Sequence, residues 1–244
     1  MCGIYLSCNQ SQHTHPPTDI ISELRCRGPD DIQSRLVDGL RPWYLTAVSS
    51  VLSLRGDDIV RQPVFDDPKS SQCFLMWNGE AWRYDETLLH GNDTSFMFHL
   101  LLKSVKDAWS SKVSKTSAMQ AVADTLSKVT GPFAFVFLDA FHQVLYYGRD
   151  ILGRRSLLFH HPSKFSIEIS SIAGEAQKSQ FHEIRSDGIY MLDLASAPTT
   201  HAVGEVSDHL PAIAPLHIPW QGLADPRNFD VSMVRHYVLV QTLI

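Results

Sequence analysis

Short apolar runs separated by polar turns alternate along this chain with longer segments of helical periodicity. The apolar runs predict β-strands; they cover residues 2–7, 44–54, 73–77, 133–138, 144–147, 156–160, 166–170 and 188–192. Apolar residues at helical spacing, such as Phe96, Leu100 and Leu101, predict helices. The predicted helices cover residues 19–24, 93–105 and 117–129.

The ends of the two longer helices carry recognisable signals. Asn92, Asp93 and Thr94 are candidate caps for the first, and the second ends before Gly131-Pro132. These helices follow one group of strands and precede another. The order predicts a mixed α and β protein with helices packed outside layered sheets.

The composition changes after about residue 195. Five prolines fall within residues 196–226, among several Ala, Gly and His, which is typical of a linker. Asp230 is a candidate cap for an apolar helix over residues 231–244. The pattern predicts one domain over residues 2–194, a linker over 195–229, and the first helix of a further domain over 230–244.

The composition excludes several classes of protein. The chain has 244 residues, 44% hydrophobic and 19% charged, as in a globular protein. A net charge of −5 argues against a non-specific nucleic-acid binder, and no apolar run is long enough to span a membrane. A signal peptide is not predicted. Four cysteines without a CxxC pair predict free thiols and a cytoplasmic location.

Cys2 is the first candidate for chemistry. It directly follows Met1, and removal of Met1 would give one residue both a thiol and an α-amine. Such an amine has an ordinary pKa of about 7.7–8.0, so it can serve as the base that activates the thiol. The alternative is a small buried thiol on the first strand, which is the usual behaviour of free Cys.

Six short motifs follow one another in a fixed order. They are Cys2, Arg27-Gly28-Pro29-Asp30, Asn78-Gly79-Glu80, Gly91-Asn92-Asp93, Gly131-Pro132-Phe133-Ala134-Phe135 and Arg149-Asp150-Ile151-Leu152-Gly153. Together they resemble the glutaminase domain of class II (N-terminal nucleophile) glutamine amidotransferases, especially that of asparagine synthetase. The stretches Leu54-Arg55-Gly56 and Gly153-Arg154-Arg155-Ser156-Leu157 are similar to the asparagine synthetase domain-containing proteins.

This resemblance implies an α+β fold, a four-layer αββα sandwich of two mainly antiparallel sheets like that of Ntn hydrolases. It implies glutamine hydrolysis that supplies ammonia for asparagine synthesis, with L-glutamine and a C-terminal synthetase-type domain as partners. ATP and Mg²⁺ are expected only in that domain, because the chain has no Gly-Gly pair for a nucleotide loop. No metal site is predicted, since the histidine pairs lack zinc-ligand spacing. The alternative is a degenerate, catalytically weak domain that serves as an interaction module.

The resemblance also assigns site residues. Cys2 is the nucleophile, and the Asn78 side chain and Gly79 N–H are the oxyanion donors. Asn-Gly is equally a strong hairpin-turn signal. Asp93 would pair with the α-ammonium of glutamine, with a helix cap as its alternative. Glu80 would line the pocket or be a solvated charge at a strand end, and the remaining substrate contacts are assigned to Leu52, Leu54 and Arg55.

One position departs from the family pattern. The Arg that grips the substrate α-carboxylate is expected at Val51, and Val offers a carboxylate nothing. Arg55 points to the same face of a continuous strand but lies about 13 Å further along, so it can substitute only where the chain bends. Two other motifs are expected to be structural. Residues 27–30 would hold a loop over the pocket, and residues 149–154 would form an ion-paired turn.

Overall fold

The computed structural model describes residues 1–66, 72–196 and 215–220. Its helices are α1 (Thr18–Arg27), α2 (Asp93–Ser110) and α3 (Lys115–Ser127). Its longer strands are β1 (Gly3–Asn9), β2 (Asp31–Leu40), β3 (Trp43–Val51), β5 (Phe74–Gly79), β9 (Phe133–Asp139), β10 (Val144–Arg149), β11 (Leu158–Ser163), β12 (Ser166–Ser170) and β14 (Gly188–Asp193). Its short strands are β4 (Val64–Phe65), β6 (Arg83–Tyr84), β7 (Thr87–Leu88), β8 (Val129–Thr130), β13 (His182–Glu183) and β15 (Leu216–Pro219).

Among the described residues, these strands form two six-stranded sheets and one small sheet. The first sheet has the order β13-β11-β12-β1-β3-β2, and the second has the order β15-β14-β10-β9-β5-β4. The small sheet has the order β7-β6-β8. Neighbouring strands pair antiparallel; for example, Asn78 of β5 lies opposite Ala134 of β9.

The two large sheets pack face to face through alternating side chains. Ile4, Leu6 and Cys8 of β1 share one buried cluster with Phe74 and Met76 of β5. Because successive side chains of a strand point to opposite faces, the intervening Tyr5 faces the other way and packs against α1 with Val48, Ile20 and Leu24. The face of a strand that holds Ile4 is therefore the face between the sheets.

Helices cover both outer faces. The helix α1 lies on the first sheet, while α2 and α3 pack on the second through a cluster that includes Trp77, Met97 and Leu126. Strand β9 is buried along its whole length because it is covered on both faces, which explains its continuous apolar sequence. The result is the predicted four-layer αββα sandwich, so the fold class is confirmed.

The structure adds elements that the hydrophobic pattern does not predict. Within the described ranges, strand β2 is an edge strand that pairs with β3 alone, and much of it is exposed, which explains its mostly polar sequence. Strand β15 falls inside the range predicted as a linker and pairs with β14. The rest of that linker, 197–214 and 221–229, and the predicted helix 230–244 lie outside the described residues.

Candidate active site

Three strand ends meet at one end of the space between the sheets. Cys2 precedes β1, Val51 ends β3, and Asn78 lies near the end of β5. Residues two positions apart on a strand point to the same face. Cys2 is two positions from Ile4 and Asn78 is two positions from Met76, so both point into the space between the sheets, as Ile4 and Met76 do. The fold therefore brings together residues that are up to 76 positions apart in the sequence.

These residues line a cleft with about 480 Å³ of space outside protein atoms, open solvent included. The lining contains every site residue that the sequence predicts: Cys2, Leu52, Leu54, Arg55, Asn78, Gly79, Glu80 and Asp93. It also contains Met1, Val51 and Arg155. The cleft is thus lined by a thiol, three side-chain amides, two residues of each charge sign and several apolar side chains.

The Cys2 thiol is partly buried beside the end of β3. Its Sγ donates a hydrogen bond to the Leu52 carbonyl oxygen at 3.7 Å. Burial raises the pKa of this thiol above its ordinary value, while the positive charges of the nearby N-terminal ammonium and Arg155 act in the opposite direction. The resting thiol is therefore protonated near neutral pH and needs a base to become a nucleophile.

The N-terminal amine lies next to this thiol. In the chain with Met1 present, the amine donates to the Arg27 carbonyl oxygen at 3.1 Å. Burial lowers the pKa of the Met1 amine; Arg27 and Arg155 lower it further, while Cys2 and Glu80 oppose this effect. The environment of residue 1 thus favours the neutral amine, which is the form that can accept a proton.

Asn78 and Gly79 occupy the opposite wall. The Asn78 side chain is 1% exposed, and its Nδ2 has no hydrogen-bond partner among the described residues. An unpaired buried donor is costly, and in a cleft a bound ligand can supply the missing acceptor. At Gly79, a Cβ would lie 2.6 Å from the Pro132 oxygen and 2.7 Å from the Phe133 Cβ. Glycine is therefore required here by the close approach of β9, a contact that the local sequence does not predict.

Asp93 is the first residue of α2 and is 5% exposed. Its Oδ2 accepts hydrogen bonds from Trp77 Nε1 at 3.0 Å and from the Ala81 N–H at 2.7 Å. Burial raises the pKa of this carboxyl, against the effect of these hydrogen bonds and of Arg55. The helix cap is Asn92, whose side chain accepts from the Ser95 N–H at 3.2 Å. The buried charge of Asp93 is therefore not explained by capping.

The chain does bend after Val51, as a role for Arg55 requires. Strand β3 ends at Val51, and Arg55 lies in a bend that lines the cleft. Its guanidinium donates to the carbonyl oxygens of Ala81 and Leu89. Arg55 thus lies close enough to lower the pKa of Asp93 and also ties its own segment to the 81–89 loop.

Arg155 is a cleft residue for which the sequence predicts no role at the site. Its Nη2 donates to Glu80 Oε1 at 3.4 Å, and its Nη1 lies 3.1 Å from the Met1 sulfur. The Glu80 carboxylate is therefore an ion-pair partner at the cleft, rather than a solvated charge at a strand end. The motif that contains Arg155 is recognisable in the sequence. Arg155 is distant from Cys2 along the chain, however, so the sequence alone does not predict that both line one cleft.

Residues 27–30 support the end of β3. The Asp30 Oδ2 accepts from the Ser53 N–H at 2.7 Å, and the Asp30 N–H donates to the Val51 oxygen at 3.0 Å. A Cβ at Gly28 would lie 2.5 Å from the Ser50 carbonyl carbon, so this turn packs directly on the strand. The motif holds the 51–53 segment against the cleft, in agreement with its predicted structural role.

Residues 149–154 form the predicted ion-paired turn. Asp150 accepts from the backbone N–H groups of Phe133 and Leu152 and from Arg154 Nε at 2.9 Å. Arg149 is 6% exposed, and its Nε donates to the Arg155 carbonyl oxygen at 2.6 Å. The turn therefore fixes the backbone from which Arg155 reaches back to the cleft.

The described residues show neither a metal-binding cluster nor a membrane-spanning helix. No group of three His, Cys, Asp or Glu side chains in the described part of the chain is arranged to hold a metal ion. Within the same ranges, no helix is both long and apolar enough to cross a membrane.

The fold has known counterparts among solved structures. The chain matches glutamine phosphoribosylpyrophosphate amidotransferase from B. subtilis with a TM-score of 0.54 and 13% identity, covering 78% of this chain and 47% of that chain. A second match, a structure of the allosteric regulatory enzyme of purine biosynthesis, has the same values. The fold is that of the class II, N-terminal-nucleophile amidotransferases.

By sequence, the chain is related to the asparagine synthetase domain-containing proteins. It is 32% identical to domain-containing protein 1 of Bos taurus over 210 residues and 30% identical to that of Homo sapiens over 202 residues. It is 28% identical to the Saccharomyces cerevisiae protein YML096W over 197 residues. These matches cover 83%, 80% and 78% of this chain, respectively, but only 30%, 29% and 33% of the relatives' lengths. No protein-family model matches the sequence.

Proposed function

We propose that this chain carries a glutaminase unit of the glutamine-hydrolysing asparagine synthetase type. In it, Cys2 is the mature N-terminal nucleophile and L-glutamine is the substrate. The observation that carries the proposal is the meeting, in one cleft, of the Cys2 thiol with the buried Asn78 side chain, whose Nδ2 finds no hydrogen-bond partner in the described part of the chain. A purely structural thiol would not need such a donor in the same cleft.

The reaction follows from these groups. The α-amine of Cys2 accepts the thiol proton, and the thiolate attacks the side-chain carbonyl carbon of glutamine. Asn78 Nδ2–H and the Gly79 N–H donate to the oxyanion of the tetrahedral intermediate. The intermediate collapses as the Cys2 ammonium returns a proton to the departing nitrogen, releasing ammonia. Water then attacks the thioester, with the same amine as base, and glutamate leaves with the thiol restored.

The remaining cleft residues bind the substrate in this proposal. Asp93 pairs with the α-ammonium, and Arg55 pairs with the α-carboxylate, for which the apolar Val51 side chain provides no partner. Leu52, Leu54 and Glu80 complete the walls. The Oδ2 of Asp93 is already occupied by Trp77 and Ala81, so the substrate interaction is assigned to Oδ1.

The ammonia is passed to a synthetase-type domain, whose ATP and Mg²⁺ are not required by the glutaminase chemistry. The lengths of the relatives are consistent with such a further domain, because this chain spans about a third of them. The described cysteines are free thiols, which is consistent with the proposed cytoplasmic location.

The test is selective labelling by 6-diazo-5-oxo-L-norleucine, an electrophilic glutamine analogue, combined with intact mass and a glutamate assay. We expect a mature chain without Met1, one adduct at Cys2, and no hydrolysis or adduct in Cys2→Ala. Cys26→Ala is the matched control, because Cys26 is exposed on α1 and outside the cleft lining; it should hydrolyse glutamine normally. An adduct that survives Cys2→Ala, or undiminished hydrolysis in that variant, would refute the proposal.

A further inference from the structure

Arg155 is the charged residue of the cleft whose role the proposed chemistry leaves open. Its side chain is 18% exposed, and its Nε is buried without a hydrogen-bond partner in the described part of the chain. Its only carboxylate contact there is the long one to Glu80, at 3.4 Å. The guanidinium is therefore incompletely paired, although it is held in place by a rigid turn.

The backbone of Arg155 is held by the turn that Arg149 and Asp150 form. The buried Arg149 donates to its carbonyl oxygen, and Arg149 is itself bonded to the carbonyl oxygens of Gly153 and Ile184. Asp150 closes the turn from the other side. These two buried charged residues therefore fix the backbone from which the Arg155 side chain extends into the cleft.

The end of this side chain reaches residue 1, since Nη1 lies 3.1 Å from the Met1 sulfur. Thioether sulfur is a weak acceptor, and removal of Met1 would take this partner away. The new N-terminal amine would then belong to Cys2, in the same cleft as the guanidinium. A guanidinium only donates hydrogen bonds and keeps its charge at every working pH, so it opposes an ammonium nearby and favours the neutral amine.

We propose that Arg155 is a positioning residue whose fixed positive charge keeps the α-amine of Cys2 in its neutral, proton-accepting form. This inference rests on the proposed function, because it assumes that Cys2 is the mature N-terminus. The groups that act on the Met1 amine are the Cys2 thiol, Arg27, Arg155 and Glu80, and the charged Arg55 and Asp93 line the same cleft. The Cys2 thiol raises the pKa of this amine, and in the mature chain it belongs to the same residue as the amine. Among the charged groups, Glu80 acts against Arg155, and it raises the pKa of the Met1 amine while Arg27 and Arg155 lower it.

The direct test measures the α-amine without relying on catalysis. In a Cys2→Ala background, which removes the competing thiol, acetic anhydride labels the α-amine at a series of pH values, and mass spectrometry reads the extent of acetylation. Adding Arg155→Gln should raise the pKa of the amine by about one unit. Arg155→Lys, which keeps the charge, and Arg185→Gln, an exposed Arg outside the cleft lining, should leave it within about 0.3 unit of the Cys2→Ala parent.

In the chain with Cys2 intact, the acidic limb of the pH profile of kcat/KM for glutamine should shift to higher pH by the same amount in Arg155→Gln. In Arg155→Lys this limb should lie at the wild-type pH. Glu80→Gln is a second variant with the opposite sign: loss of its carboxylate should lower the pKa of the amine. Unchanged amine titration in both Arg155→Gln and Glu80→Gln, or a mature chain that keeps Met1, would overturn the inference. A shifted amine in a chain that does not hydrolyse glutamine would support the inference about Arg155 and count against the proposed function.

Discussion

The carboxylate of Asp93 illustrates how a single residue carries both a structural and a proposed functional contact. Its Oδ2 satisfies two buried donors, Trp77 Nε1 and the Ala81 N–H. The same burial that makes these hydrogen bonds effective also raises the pKa of the carboxyl. The negative charge is thus held at a cost to stability, and an α-ammonium of the substrate would offset that cost on binding.

We expect Asp93→Asn to separate the two contacts. An amide oxygen can still accept from Trp77 and Ala81, so the fold should be retained. Without the negative charge the substrate α-ammonium is left unpaired, and the KM for glutamine should rise about 10- to 150-fold, which corresponds to about 1.5–3 kcal/mol. Steady-state kinetics and thermal melting check this expectation. Asp93→Ala is the control and should lose about 1–3 kcal/mol of stability because both donors lose their acceptor.

The same substitution has a pH dependence of known sign. A carboxyl whose pKa is raised by folding stabilises the native state most below its ordinary pKa, about 3.9, and loses that contribution as the pH rises through the raised value. Asp93→Asn removes the buried charge, so its stability relative to wild type should be more favourable at pH 7 than at pH 3. Denaturant titrations at the two pH values give this difference, and a reversed order would contradict the interpretation of Asp93 as a destabilised buried charge.

At the scale of secondary-structure elements, the interior of the sandwich was predictable and its edges were not. Strand β9 and the helix α2 carry strong apolar patterns because both are buried on the faces that pack. Strand β2 has no such pattern, since its stability comes from pairing with β3 at an edge. The short strands of the small sheet are two residues each, too few to show a period.

In the cleft, too, the sequence predicts the motifs but not the contacts between distant elements. Cys2, Asn78 and Asp93 belong to short motifs that a resemblance can identify, and the fold places them around one cleft. Arg155 could not be assigned, because its relation to Cys2 depends on a turn held by buried charged residues distant in sequence from the N-terminus. The actual requirement for Gly79, the close approach of β9, is likewise a contact between elements rather than a property of the motif.

Arg55 connects two irregular segments, the one that follows β3 and the 81–89 loop. We expect Arg55→Met to lower stability by about 1.5–3 kcal/mol, because both carbonyl acceptors lose a charged donor, and to raise the KM for glutamine. Adding Val51→Arg should lower the KM again without restoring the stability, since an Arg at position 51 supplies a fork for the α-carboxylate but does not join the two segments. Val51→Met in the same background is the control for side-chain size. A KM that is unaffected by Arg55→Met would remove Arg55 from the binding of substrate.

At the scale of the whole molecule, the described sandwich places the groups used by the proposed hydrolysis around one cleft. The sequence has no Gly-Gly pair from which a nucleotide loop of the synthetase type is built. We therefore expect residues 1–244 alone to convert glutamine to glutamate and ammonia at a rate unchanged by ATP, Mg²⁺ and aspartate, and to form no asparagine. Amino-acid analysis with ¹⁵N-amide-labelled glutamine follows both products at once. Cys2→Ala is the control, and it should abolish release of the label. Labelled asparagine formed by the isolated chain would contradict this expectation. It would show that these residues activate aspartate, which requires a nucleotide site that the proposed glutaminase does not use.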